Sequence, residues 1–158
     1  MVRTYNGTLT VDSDDPDGDT VVALTGEGAD LCDICSGLIS VDTGGDPYTM
    51  DSFVSILGLP ATEQVTISNV GDMDLDVSDV YVNNDTLSTC GTFTITGWRG
   101  ATTLSPGGST RFEVAYRASS VCVEVPLTSL DQNVIHILSD DPSQSDYVIE
   151  LSAIGLNG

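Results

Sequence analysis

Apolar side chains recur along this chain mostly with a period of two. In Gln64-Val65-Thr66-Ile67-Ser68-Asn69-Val70, Val65 and Ile67 point one way and Thr66 and Ser68 the other. Met73-Asp74-Leu75-Asp76-Val77 and Arg111-Phe112-Glu113-Val114-Ala115-Tyr116-Arg117 repeat the alternation. Strict alternation marks a half-buried strand, because successive side chains of extended backbone leave opposite faces. Turn-forming clusters punctuate the runs: Asn69-Val70-Gly71-Asp72, Val82-Asn83-Asn84-Asp85 and Ser105-Pro106-Gly107-Gly108. No window sustains a helical period. The pattern predicts strands near 7–12, 20–26, 37–42, 50–57, 63–69, 73–83, 91–98, 109–117, 121–125, 132–139 and 147–153. Short strands at this spacing form an all-β sandwich. Residues 27–36 and 42–49 break the alternation; the first reads as a linker.

One motif occurs twice, at Ser13-Asp14-Asp15-Pro16 and Ser139-Asp140-Asp141-Pro142, 126 residues apart. Thr8-Leu9-Thr10-Val11 aligns with Val134-Ile135-His136-Ile137. With one extra residue in the second turn, Val22-Ala23-Leu24 falls on Ile149-Glu150-Leu151. Each copy reads strand, acidic turn, strand, closing glycine. The spacing is that of one sandwich domain, so the first copy is expected to be the terminal hairpin of a preceding repeat. The expected organisation is a hairpin over 1–28, a cysteine-containing linker over 29–36 and a sandwich over 37–158. An isolated hairpin is marginal in water. Leu9, Val11, Val22 and Leu24 form an apolar face that calls for cover, so contact with other copies or neighbouring repeats of the same protein is expected.

Charge narrows the partners. The chain has 24 acidic residues against four arginines and no lysine, a net charge of −20 in 158 residues. Such a field repels nucleic acid and anionic lipid. No run approaches the roughly 20 apolar residues of a membrane helix, so direct membrane insertion is not expected. Four cysteines, Cys32, Cys35, Cys90 and Cys122, in a Thr- and Asp-rich β chain point to disulfides and an extracellular or cell-surface location. Pairing 32–35 with 90–122 is favoured over the other two pairings, because Cys90 and Cys122 bracket the central strands. Zinc bound by the four thiols and a redox CxxC are the alternatives; acidic flanks raise a thiol pKa and oppose the redox reading.

The remaining candidates have structural readings beside the chemical ones. Asp12, Asp14, Asp15, Asp17 and Asp19 crowd one turn, a candidate calcium loop. The EF-hand pattern fails there, since Ser13 takes position one and Leu24 the place of the bidentate glutamate. A tight turn demands Asp, Pro and Gly anyway. Asp72, Asp74 and Asp76 are expected on one strand face, a cation site or a solvated face. His136, the single histidine, sits in a strand, a poor place for a general base, with no G-x-S-x-G elbow elsewhere. Trp98 and Arg99, framed by Gly97 and Gly100, read as a core residue at a strand end or a contact point. Asn6-Gly7-Thr8 and Asn84-Asp85-Thr86 fit the glycosylation sequon.

Three signatures together resemble a known group. Val65-Thr66-Ile67-Ser68-Asn69-Val70-Gly71 followed by Leu75-Asp76-Val77 is similar to "VTVTNTG…L.V". Leu104-Ser105-Pro106-Gly107-Gly108 through Phe112-Glu113-Val114 is similar to "L.PGES..F.V.F.P". Ile137-Leu138-Ser139-Asp140-Asp141-Pro142 with Val148 to Gly155 is similar to "I.SNDP…V.L.GTG". Over roughly residues 60–155 the chain resembles the abnormal-spindle/hydin (ASH) immunoglobulin-like domains, related to the major-sperm-protein sandwich. It also resembles the bacterial "choice-of-anchor D" repeats of large exported proteins. The usual proline after the central strand is replaced by the stretch Tyr116-Arg117-Ala118-Ser119, and the entry segment 29–58 is long. The resemblance implies a binding or scaffolding module with no catalytic residue to carry over; the expected role is a non-enzymatic structural or adhesive repeat module without a cofactor, calcium at the acidic turn excepted. The rival expectation is a calcium- or glycan-binding module appended to a secreted enzyme.

Overall fold

The computed structural model describes residues 2–12, 16, 18, 20–29, 35–56, 58–83, 90–119 and 131–156. Every regular element among them is a strand. The chain divides into two compact units, 1–35 and 36–158. The first is an antiparallel hairpin of β1 (Val2–Val11) and β2 (Thr20–Ala29), paired from Val11↔Thr20 to Val2↔Ala29.

The second unit is a two-layer sandwich. Its strands are β3 (Ile39–Asp42), β4 (Thr49–Ile56), β5 (Ala61–Asn69), β6 (Leu75–Asn83), β7 (Gly91–Thr96), β8 (Thr102–Leu104), β9 (Ser109–Ala118), β10 (Asp131–Ser139) and β11 (Asp146–Leu156). One sheet runs β4-β11-β10-β6-β8, the other β3-β5-β9-β7. All neighbours are antiparallel except β4 with β11. The stretch 43–48 carries the chain from one sheet to the other. The inward rows of β5 (Val65, Ile67), β9 (Phe112, Val114, Tyr116), β10 (Ile135, Ile137) and β11 (Ile149, Leu151) are almost wholly buried. Their alternation in the sequence is the imprint of this core. Phe53 meets Phe93 edge-on at 5.5 Å, and Phe93 lies 4.8 Å from Tyr116.

Two strands depart from strict alternation, each through a bulge. Leu151 pairs with Met50 but Ala153 pairs with Phe53, so β4 carries one extra residue and buries both Met50 and Phe53. Leu138 pairs with Asp79 but Ser139 with Val77, so Ser78 is the extra residue of β6, and Val77 and Val80 both face inward. Three expectations are corrected. β6 begins at Leu75, with bends at 71–73, so Asp72 and Asp74 are not strand residues and the three-carboxylate face does not form. β7 stops at Thr96, ahead of Gly97 at φ 79°. The short β8 had no sequence signal of its own. The strand expected at 121–125 lies outside the described residues.

Candidate functional site

A buried polar side chain is either chemistry or scaffold. Asn69 is 1% exposed. Its Oδ1 accepts from the backbone N–H of Leu38 (3.2 Å) and Gly71 (2.9 Å), and its Nδ2 donates to the carbonyls of Met73 (2.7 Å) and Leu104 (2.8 Å). Its own backbone bonds Gly107 and Gly108 in the Ser105–Gly108 turn, where Gly107 has φ 76°. One side chain thus ties together the ends of β3, β5, β6 and β8. This is the physical content of the SNVG and PGG signatures. Gly71 belongs to the same knot: a Cβ there would collide with the Ser36 carbonyl oxygen.

Asp141 explains the SDDP turn. It is 2% exposed. Oδ2 accepts from the Ile39 N–H at the start of β3 (2.8 Å). Oδ1 accepts from Ser143 N–H (2.7 Å), Ser143 Oγ (2.6 Å) and Gln144 N–H (3.1 Å). Burial pushes this carboxyl up, but the bonds from Ser143, Ile39 and Gln144 together outweigh it and hold the pKa below its ordinary value. Its neighbour Asp140 accepts from the Asp76 N–H (2.8 Å) and donates its own N–H to the Asp76 carbonyl (3.1 Å). The second acidic turn is therefore a clamp joining the β10–β11 hairpin to β3 and β6. Asp131, 1% exposed, accepts from Tyr116 Oη (2.8 Å) and from the Cys90 N–H (3.2 Å).

The register of the hairpin in the first unit coincides position for position with that of β10–β11. Val11↔Thr20, Leu9↔Val22 and Gly7↔Leu24 correspond to Ile137↔Tyr147, Ile135↔Ile149 and Asn133↔Leu151. The outcome for the side chains is opposite. Ile135, Ile137 and Ile149 are 0% exposed, whereas Leu9, Val11, Val22 and Leu24 are 42–51% exposed. Full burial of such a residue is worth roughly 1.5–3 kcal/mol. Four half-exposed residues therefore leave roughly 3–6 kcal/mol of burial unrealised, an upper figure.

Asp12 is exposed at the end of β1; Asp14, Asp15, Asp17 and Asp19 lie outside the described residues, and the calcium expectation with them. Cys35 and Cys90 are not free thiols; Cys32 and Cys122 lie outside the described residues, as does the proposed pairing. Cys90 is held against the end of β9, its carbonyl accepting from Ser119 N–H (2.8 Å) and Oγ (3.0 Å). His136 lies on the outer face of β10, stacked on Tyr81 at 5.1 Å with Nδ1 3.0 Å from Asp146. Trp98 rests partly buried against the core. With Arg99, Arg111, Gln64, Thr110 and Glu113 it lines an open groove of about 700 Å³. Two of the chain's four arginines meet there. Sequence reading missed Arg111, a strand away, and also missed Asn69 and Asp141 as buried hubs.

No family model and no curated protein matches the chain. Solved structures do. A protein of unknown function from Porphyromonas gingivalis W83 aligns with TM-score 0.52 and 18% identity over 98% of this chain, which spans 66% of that protein's length. The human CEP192 ASH/PapD-like domain 7 aligns with TM-score 0.53 and 9% identity, covering 83% of this chain and 94% of the domain. The secreted serine protease VesC from Vibrio cholerae aligns with TM-score 0.51 and 16% identity, over 75% of this chain but 23% of the protease. At these identities the likeness is one of fold: the chain carries an immunoglobulin-like β-sandwich of the ASH/PapD-like type.

Proposed function

We propose that this chain is a non-enzymatic structural or adhesive repeat module of a large exported or cell-surface protein. Its N-terminal hairpin is the contact with other copies or neighbouring repeats of that protein. One observation carries the reading: a hairpin with the register of β10–β11 presents its apolar row half exposed, where the β10–β11 row is buried. The interior supports it as well. Asn69, Asp131 and Asp141, buried and polar, are engaged in bonds that hold strands together. The groove of Trp98 and Arg99 is a second contact surface, suited by its two guanidiniums to an acidic partner segment. The cysteines serve as two structural bridges, 32–35 and 90–122; the seat of Cys90 beside Ser119, three residues ahead of Cys122, favours the second.

Sedimentation of three chains tests the proposal: full length, residues 29–158, and full length with Leu9→Asn and Leu24→Asn. The full-length chain is expected to self-associate with rising concentration while the other two remain monomeric. Three monomers at the highest concentrations reached, with residues 7–26 resistant to protease in the full-length chain, would overturn it.

A further inference from the structure

The copy of the hairpin that is covered shows what the exposed copy is built to meet. β10–β11 closes the sandwich by laying Ile135, Ile137, Ile149 and Leu151 over the facing sheet, with β6 beside β10 and β4 beside β11. We infer that β1–β2 is the closing strand pair of a second sandwich of this kind, and that its acceptor is an upstream repeat of the same protein whose own fold stops short of its last two strands. The inference rests on the proposed role of the hairpin as a contact, and adds what the acceptor must look like.

Three correspondences carry it. The register agrees at every aligned pair, with β1 offset by 126 residues and β2 by 127. The faces agree: Leu9, Val11, Val22 and Leu24 stand where Ile135, Ile137, Ile149 and Leu151 are buried, and Thr8 and Thr10 where Val134 and His136 face outward. The acidic turn agrees in sequence, Asp14 and Asp15 standing where Asp140 and Asp141 do. Beyond their own turn, Asp141 accepts from the Ile39 N–H opening β3 and Asp140 pairs with the backbone of Asp76 in β6. The acceptor must therefore offer a free N–H at the start of its first strand and an unpaired edge equivalent to β6. An intact copy has both places filled by its own β10–β11 and offers only its sheet edges. Self-association of the 158-residue chain is thus the weak form of the contact.

The test supplies the missing acceptor from the chain itself. Residues 36–130 are fused directly ahead of Tyr5, which then takes the place of Asp131, and the native chain continues to residue 158. A second version carries Tyr5→Asp, restoring the carboxylate that Tyr116 and Cys90 bind. Hydrogen exchange reads the amides of β1 and β2. They are expected to slow by about 100-fold or more relative to the 158-residue chain, into the range of β10–β11. Asp15→Asn is expected to reverse part of this in the fusion and to change nothing in the 158-residue chain. Unchanged exchange in both fusions, with the added segment digested by protease, would overturn the inference. If self-association through the hairpin persisted in that case, the proposed function would stand with an edge contact as its basis; loss of both would end both.

Discussion

Replacing Asp141 by asparagine keeps the size of the side chain and removes its charge. The carboxylate accepts on both oxygens, from Ile39 on one and from Ser143 and Gln144 on the other. An amide must turn its NH₂ toward one of these donors. A hydrogen bond to a charged acceptor contributes about 1.5–3 kcal/mol, and a buried N–H left without an acceptor costs about 1–3 kcal/mol. The substitution should therefore destabilise the 36–158 unit by about 3 kcal/mol. For a domain of this size that lowers the melting temperature by about 10 °C. Urea unfolding followed by tryptophan fluorescence measures it, since Trp98 rests on the core. The pH dependence supplies a second check. The folded pKa lies below the ordinary 3.8, so the charged form favours folding. The stabilisation is fully present above pH 3.8 and is lost as pH falls through the lower folded value. The gap between wild type and Asp141→Asn should hold from pH 7 to about 4 and close below that. A loss under about 1 kcal/mol at pH 7, or a gap independent of pH, would refute the assignment of Asp141 as a clamp.

Asn69→Ala removes the bonds from the Leu38 and Gly71 N–H groups and those to the Met73 and Leu104 carbonyls, and should cost about 3 kcal/mol or more in denaturant titration. Tyr116→Phe removes one bond to buried Asp131 and should cost about 1.5–3 kcal/mol by the same measurement; no loss would contradict that bond. Raising salt from low to moderate concentration should raise the melting temperature, because 24 carboxylates face four arginines and screening relieves their repulsion. Reducing agent should destabilise the fold by about 2–5 kcal/mol per structural bridge lost, and mass measurement after alkylation of the unreduced chain should find no reactive thiol.

Much of the architecture was legible from one-dimensional pattern. The period of two in residues 64–70 and 111–117 placed β5 and β9 and separated their inward from their outward rows, since extended backbone leaves a side chain only two faces. The repeated hairpin was legible for the same reason. An alignment made on SDDP and the apolar alternation predicted a register that β1–β2 and β10–β11 share at every compared pair. What the sequence could not carry depends on which strands become neighbours. The extra residues in β4 and at Ser78 read as broken alternation, because a bulge is defined only against the partner strand that lacks it. β8, three residues long, exists through pairing with β6. Asp141 and Asn69 looked like turn residues. Their burial comes from backbone donors and acceptors up to 102 residues away, brought near only when the two sheets close. For the same reason the two SDDP turns read alike in sequence, and only the tertiary structure shows that the second is a clamp with its partner in place.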